Sequence, residues 1–197
     1  MPMVQTPLIP ERGISPWANS LCFTGHRPEK LPTGAALDAL LRTLHFHINN
    51  AVKIGFTHFY TGLADGIDYY AADYLFRLRE QNPALTVIGI QPCSDYREFF
   101  QHSGYSLQHL DEMLDGIDKL IVLPGTRSEK GIFLKRNRYM VDHCSGIIAV
   151  CTNGRSGSMQ TYRYAVKNGL AYCHISPTVS GPPFPKPDAW QTELYGM

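Results

Sequence analysis

Two short turns gather the residues of this chain best suited to hold an anion. Phe23-Thr24-Gly25-His26-Arg27-Pro28 and Thr61-Gly62-Leu63-Ala64-Asp65-Gly66-Ile67-Asp68 each follow an apolar run, and each leads into a helical pattern. A strand-to-helix turn leaves backbone N–H groups without intrahelical partners at the positive end of the helix dipole. Glycine lets that backbone approach a ligand closely and adopt positive φ. Two such turns point to a phosphate-bearing ligand. The same glycines also serve the ordinary geometry of α/β turns, and the pattern alone leaves both readings open.

Arg27 offers planar, bidentate donors matched to phosphate oxygens; its alternative is a surface ion pair with Glu29 or another acid. His26 can donate to a phosphate, move a proton, or cap its own turn. Asp65 and Asp68 can bind ribose hydroxyls or a divalent ion beside a phosphate. Asp68 can equally stabilise the dipole of the helix it opens. Asn153, at the end of a later apolar run, is placed to cap a turn or touch a base or ribose. His45 and His47 are two apart on a helical pattern and point to different sides, and no cysteine pair has metal-ligand spacing, so no metal site is expected. No Walker A motif, no G-x-S-x-G elbow and no nucleophile–base pair can be read from spacing, so no catalytic residue is assigned.

The elements that must position these residues alternate. Strands are expected at 20–24, 57–61, 85–90, 119–123, 146–151 and 171–176. Leu37, Leu40, Leu41, Leu44, Ile48 and Val52 recur at helical spacing before Gly55, and Ile67, Tyr70, Ala71, Tyr74, Leu75 and Leu78 form a second stripe ended by Pro83. Further helical patterns cover 95–116, interrupted near Gly104, then 131–144 and 159–168. Strands alternating with helices imply βαβ units and a mostly parallel sheet, a Rossmann-like α/β three-layer sandwich of five to six or more strands. Residues 1–18 read as a proline-rich arm, 19–177 as the single Rossmann-like domain and 178–197 as a proline-rich irregular tail.

The 197 residues carry 18 basic and 17 acidic side chains, a formal charge of +1, which argues against a dedicated nucleic-acid binder. Five cysteines, mostly in or beside apolar runs, read as reduced core thiols. With no signal-peptide pattern and no apolar stretch of membrane-spanning length, a cytoplasmic protein without membrane contact is expected.

Together with Arg136-Asn137, Met140-Val141-Asp142 and Ala149-Val150, the two turns resemble the YpsA-like (DUF1273) branch of the SLOG superfamily. That superfamily also holds DNA-processing protein A and the Lonely Guy and lysine-decarboxylase-like proteins. The resemblance covers about residues 20–176. It implies a Rossmann-like fold binding a nucleotide or nucleotide-derived ligand, an adenine nucleotide or ADP-ribose derivative, above the carboxyl ends of the strands. Thr24, Gly25, His26 and Arg27 would form one wall of that pocket, and Gly62, Ala64, Asp65, Gly66 and Asp68 a second. Arg136 and Asn137 would lie near it, although beside Lys135 and Arg138 they read equally as a solvated basic face. A third glycine turn would fall at Gly154-Arg155-Ser156-Gly157-Ser158, where Ser158 and Met159 replace the usual glycine and threonine. The resemblance also implies a homodimer.

The leading functional reading is therefore a module that binds or senses a small nucleotide ligand, with no cofactor beyond such a bound nucleotide. Whether it is an enzyme stays open, with a binding role favoured. The alternative is hydrolysis of an N-glycosidic or phosphoribosyl bond, but the Pro-Gly-Gly-x-Gly-Thr-x-x-Glu signature of the Lonely Guy enzymes is missing here. A further alternative is single-stranded DNA binding, disfavoured by the charge balance and by the lack of basic–aromatic interleaving along the chain.

Overall fold

Each apolar run followed by a helical stripe becomes a strand–helix unit, and the units stack into one sheet. A computed structural model describes residues 18–178. The arm and tail expected at 1–18 and 178–197 lie outside that range except for Ala18 and Thr178. The strands are β1 (Ser20–Gly25), β2 (His58–Thr61), β3 (Thr86–Gln91), β4 (Lys119–Val122), β5 (Gly146–Val150) and β6 (Ala171–Ile175). The helices are α1 (Ala35–Lys53), α2 (Ile67–Gln81), α3 (Tyr96–Ser103), α4 (Leu107–Gly116), α5 (Ile132–Asp142) and α6 (Gly157–Lys167). The strand order is β4-β3-β2-β1-β5-β6 and every neighbouring pair is parallel. The Rossmann-like α/β expectation therefore holds, with six strands among the described residues.

Alternation along each strand sorts the side chains between two cores. Leu21 and Phe23 of β1 pack with α1 and α2, against Leu44, Ile48, Ala71 and Leu75. Cys22 packs on the other face, against Met140 of α5 and Ala165 of α6. Phe23 stacks on Phe59 with ring centroids 6.1 Å apart, at the centre of the first core. A third cluster joins α2 to α3 and α4 through Ala72, Tyr96, Phe100, Leu110 and Met113. The helical pattern over 95–116 is two helices because Gly104 takes the left-handed conformation (φ 75°) between them. β4 is one of the two outer strands, bonded among the described residues to β3 alone, and Leu120 and Val122 remain 44% and 45% exposed. Its apolar run is an edge and not a strand covered on both faces.

The chain runs outward from β1 through β2 and β3 to β4, then returns through α5 to place β5 on the other side of β1. The order reverses between β1 and β5. In open parallel sheets ligand crevices form at the carboxyl ends of strands at such a reversal.

Candidate nucleotide-binding cleft

At the reversal, β1 and β5 are tied together by the first glycine turn. His26 N–H donates to the Val150 carbonyl at 3.0 Å, and His26 Nε2 accepts the Thr152 backbone N–H at 2.9 Å. Because Nε2 is an acceptor, the ring is neutral with its proton on Nδ1. Burial lowers the His26 pKa, helped by Lys30 and opposed by Glu29. The imidazole thus serves as a turn cap.

The second turn docks on the first. Ile67 N–H donates to the His26 carbonyl at 3.3 Å, and Gly66 between them has φ 94°. A Cβ on Gly66 would lie 2.5 Å from the His26 carbonyl oxygen and 3.0 Å from Arg27 Cα, so only glycine fits. Leu63, with φ 55°, holds the left-handed conformation at a strain of roughly 1 kcal/mol, and the Tyr96 hydroxyl donates to its carbonyl at 3.2 Å.

The two acids of this turn face different ways. Asp65 accepts from Gly66 N at 2.9 Å, Ser106 N at 3.0 Å and His109 Nδ1 at 2.8 Å. It holds the start of α4 and turns away from the cleft. Asp68 is buried and accepts from Ala64 N at 3.4 Å. Burial raises its pKa, while Arg136, Arg27 and the Ala64 and Gly62 amides oppose the rise.

Arg136, 5% exposed, donates from Nη1 to the Gly62 carbonyl and from Nε to Asn137 Oδ1 at 2.8 Å. Asn137 Nδ2 donates to Thr161 Oγ1 at 2.8 Å, and Thr161 donates to the Gly157 carbonyl at 2.8 Å. A continuous polar chain therefore links the second turn, α5 and the start of α6. Ser156 caps α6 by accepting from Met159 N at 3.1 Å, and Ser158 Oγ donates to the Gly25 carbonyl at 2.6 Å. The Ser158 hydroxyl proton is thus committed to Gly25. Of the first-turn amides of α6, that of Met159 is spent on Ser156, while those of Gly157 and Ser158 have no intrahelical partner.

These elements enclose a cleft of about 220 Å³. Thr24, Gly25, His26 and Arg27 line it, with Ala64 and Asp68, Arg136 and Asn137, and Gly157 and Ser158. Gly62, Asp65, Gly66, Asn153 and Gly154 do not. Gly62 lies behind Arg136 and Asp68, Gly66 beneath Arg27, and Asn153 and Gly154 are exposed beyond the rim. Sequence reasoning missed Phe23, Glu29, Lys30, Phe133, Met140 and Ser156 as lining residues. The signal for two of them was the helical spacing of Phe133, Arg136, Asn137 and Met140.

Arg27 forms no ion pair with Glu29. Its guanidinium carbon lies 4.6 Å from the Tyr105 ring centroid and 5.9 Å from that of Phe99. Among the described residues its buried Nη1 has no hydrogen-bond partner. A buried donor left unpaired costs about 1–3 kcal/mol.

No curated protein matches this chain. Among solved structures it is similar to DNA processing protein A from Streptococcus pneumoniae, with a TM-score of 0.53 and 22% identity over 79% of this chain and 49% of that one. It is equally similar to DNA processing protein A from Helicobacter pylori, a structure described for its unique single-stranded DNA binding mode, at TM-score 0.53 and 22% identity over 79% and 64% of the two chains. The chain thus spans about half of one neighbour and under two thirds of the other, and at this identity the likeness shows the fold. Among the described residues, no helix is long and apolar enough to cross a membrane.

The expectation of a small-molecule nucleotide partner, with nucleic acid set aside, is corrected by these neighbours. It rested on a net charge that averages over the whole surface, and on a search along the chain for basic residues beside aromatic ones. The fold makes that juxtaposition in space, placing Arg27 on Tyr105 and Phe99. The six-stranded parallel sheet, the paired glycine turns and a sequence match over residues 21–172 lead to one assignment: this chain belongs to the YspA SLOG family.

Proposed function

We propose that this chain binds single-stranded nucleic acid, seating one phosphodiester-linked nucleotide of the strand in the cleft lined by the turn after β1, α5 and the start of α6. The observation that carries this reading is Arg27: a guanidinium held over two aromatic rings, with a buried donor unpaired, beside a cleft that the start of α6 also lines. Helix N-termini and arginine forks both favour phosphate oxygens. The structural likeness to a protein described for single-stranded DNA binding adds to this support.

The test is fluorescence anisotropy of a labelled oligothymidylate of about 20 nucleotides, titrated with protein across about 50–200 mM salt. Binding that weakens steeply with salt, and at least about tenfold in Arg27→Ala, supports the reading. No binding at the lowest salt, or an Arg27→Ala variant that binds as the parent does, overturns it.

A further inference from the structure

α5 presents Phe133, Arg136, Asn137 and Met140 at positions i, i+3, i+4 and i+7, and all four line the cleft. Met140 and Arg136 are buried in its floor. Phe133, in the first turn, is only partly buried. Tyr96 and Phe100 of the same aromatic cluster are wholly buried core rings. Phe133 instead stands in the cleft wall, with Phe99 behind it at 4.8 Å between centroids and Tyr96 at 6.2 Å.

Phe99 touches two partners that matter here. It lies against Phe133, and it lies 5.9 Å below the Arg27 guanidinium. One aromatic cluster therefore contacts both the cation and a partly buried ring that lines the cleft. Asn137, one turn along the stripe, has spent one amide hydrogen on Thr161 and one acceptor position on Arg136, and keeps one of each.

We propose that Phe133 is a stacking platform for one unstacked base of the bound strand, while the adjoining phosphate sits between Arg27 and the first turn of α6. This rests on the single-strand reading above and adds to it a requirement for a base. A ring face accepts any base, so the platform confers affinity with little sequence preference. Binding then has two separable parts: backbone charge through Arg27, and the base through Phe133.

The experiment compares an oligothymidylate with an abasic strand of the same length and charge, using the full chain and its Phe133→Leu and Phe133→Trp variants. The parent is expected to prefer the thymidylate by about tenfold, in line with the usual worth of one base–aromatic stack. Phe133→Leu should lose that preference yet keep its affinity for the abasic strand and its salt dependence, while Phe133→Trp should keep the preference. Equal binding of the two strands by the parent overturns the platform and leaves the single-strand reading standing. That comparison does not depend on any variant folding. A Phe133→Leu variant that folds and retains the full preference also overturns it. If the parent binds neither strand, the single-strand reading falls and the platform with it.

Discussion

His26 Nε2 accepts the Thr152 backbone N–H at 2.9 Å, so a side chain from the end of β1 closes the gap where the chain leaves β5. His26→Leu removes that acceptor and leaves a part-buried N–H unpaired. The expected loss is about 1–3 kcal/mol, measured by urea unfolding at neutral pH. The sign with pH follows from the lowered pKa of His26. Its contribution is complete above pH 6.5 and is lost as the pH falls through the folded value, because protonated Nε2 would oppose the Thr152 N–H.

His47 gives a larger effect of the same sign. It is 2% exposed on the buried face of α1, its Nδ1 has no partner among the described residues, and burial lowers its pKa to about 4. The unfolded chain takes up this proton near pH 6.5 and the folded chain only near pH 4. At about 1.4 kcal/mol per pH unit, that gap removes about 3 kcal/mol of stability between those values. His47→Leu should flatten the stability profile over this window, as followed by chemical unfolding at a series of pH values. An unchanged slope in the variant would assign the acid sensitivity elsewhere.

Gly66→Ala should cost about 1–3 kcal/mol, because φ 94° strains any side chain and the new methyl would press on the His26 carbonyl oxygen. The methyl would also displace the Arg27 backbone beneath the guanidinium. Oligothymidylate affinity should therefore fall further than in an equally destabilised core variant such as Ile48→Val. Thermal unfolding and anisotropy on the same samples separate the two effects.

Arg27→Lys keeps the charge and loses the planar fork. A lysine ammonium cannot lie flat on Tyr105 while reaching a phosphate with two parallel donors. Affinity for a single strand should drop several-fold, with the salt slope close to that of the parent, whereas Arg27→Ala should also reduce the slope by about one. Isotherms at several salt concentrations check this.

Asp65→Ala removes the acceptor shared by Gly66 N, Ser106 N and His109 Nδ1, and should destabilise the fold by about 1–3 kcal/mol. It also frees the start of α4, next to Tyr105, on which Arg27 rests. A loss of affinity beyond that of a core variant of matched stability would mark Asp65 as a residue that positions the binding surface without touching the ligand.

What the sequence by itself determined was local. Leu40, Leu44 and Ile48 recur at a helical period, runs such as 146–151 read as strands, and Gly104 interrupts its helix, because the backbone periods of 3.6 and 2 act between near neighbours. The two glycine turns were legible for the same reason, and Thr24, Gly25, His26 and Arg27 of the first and Ala64 and Asp68 of the second line the cleft. The tertiary structure alone decided which way each side chain of a turn faces. Asp65 and Asp68, three residues apart, part company because α4 supplies donors to one while Arg136 lies beside the other. It also decided the company of Arg27, whose aromatic partners lie more than 70 positions further along the chain, and the cleft-lining place of Phe133. The charge balance misled about partners for the same physical reason. Composition sums over the whole surface, whereas a binding site depends on the few groups that non-local packing brings within a few ångströms of one another.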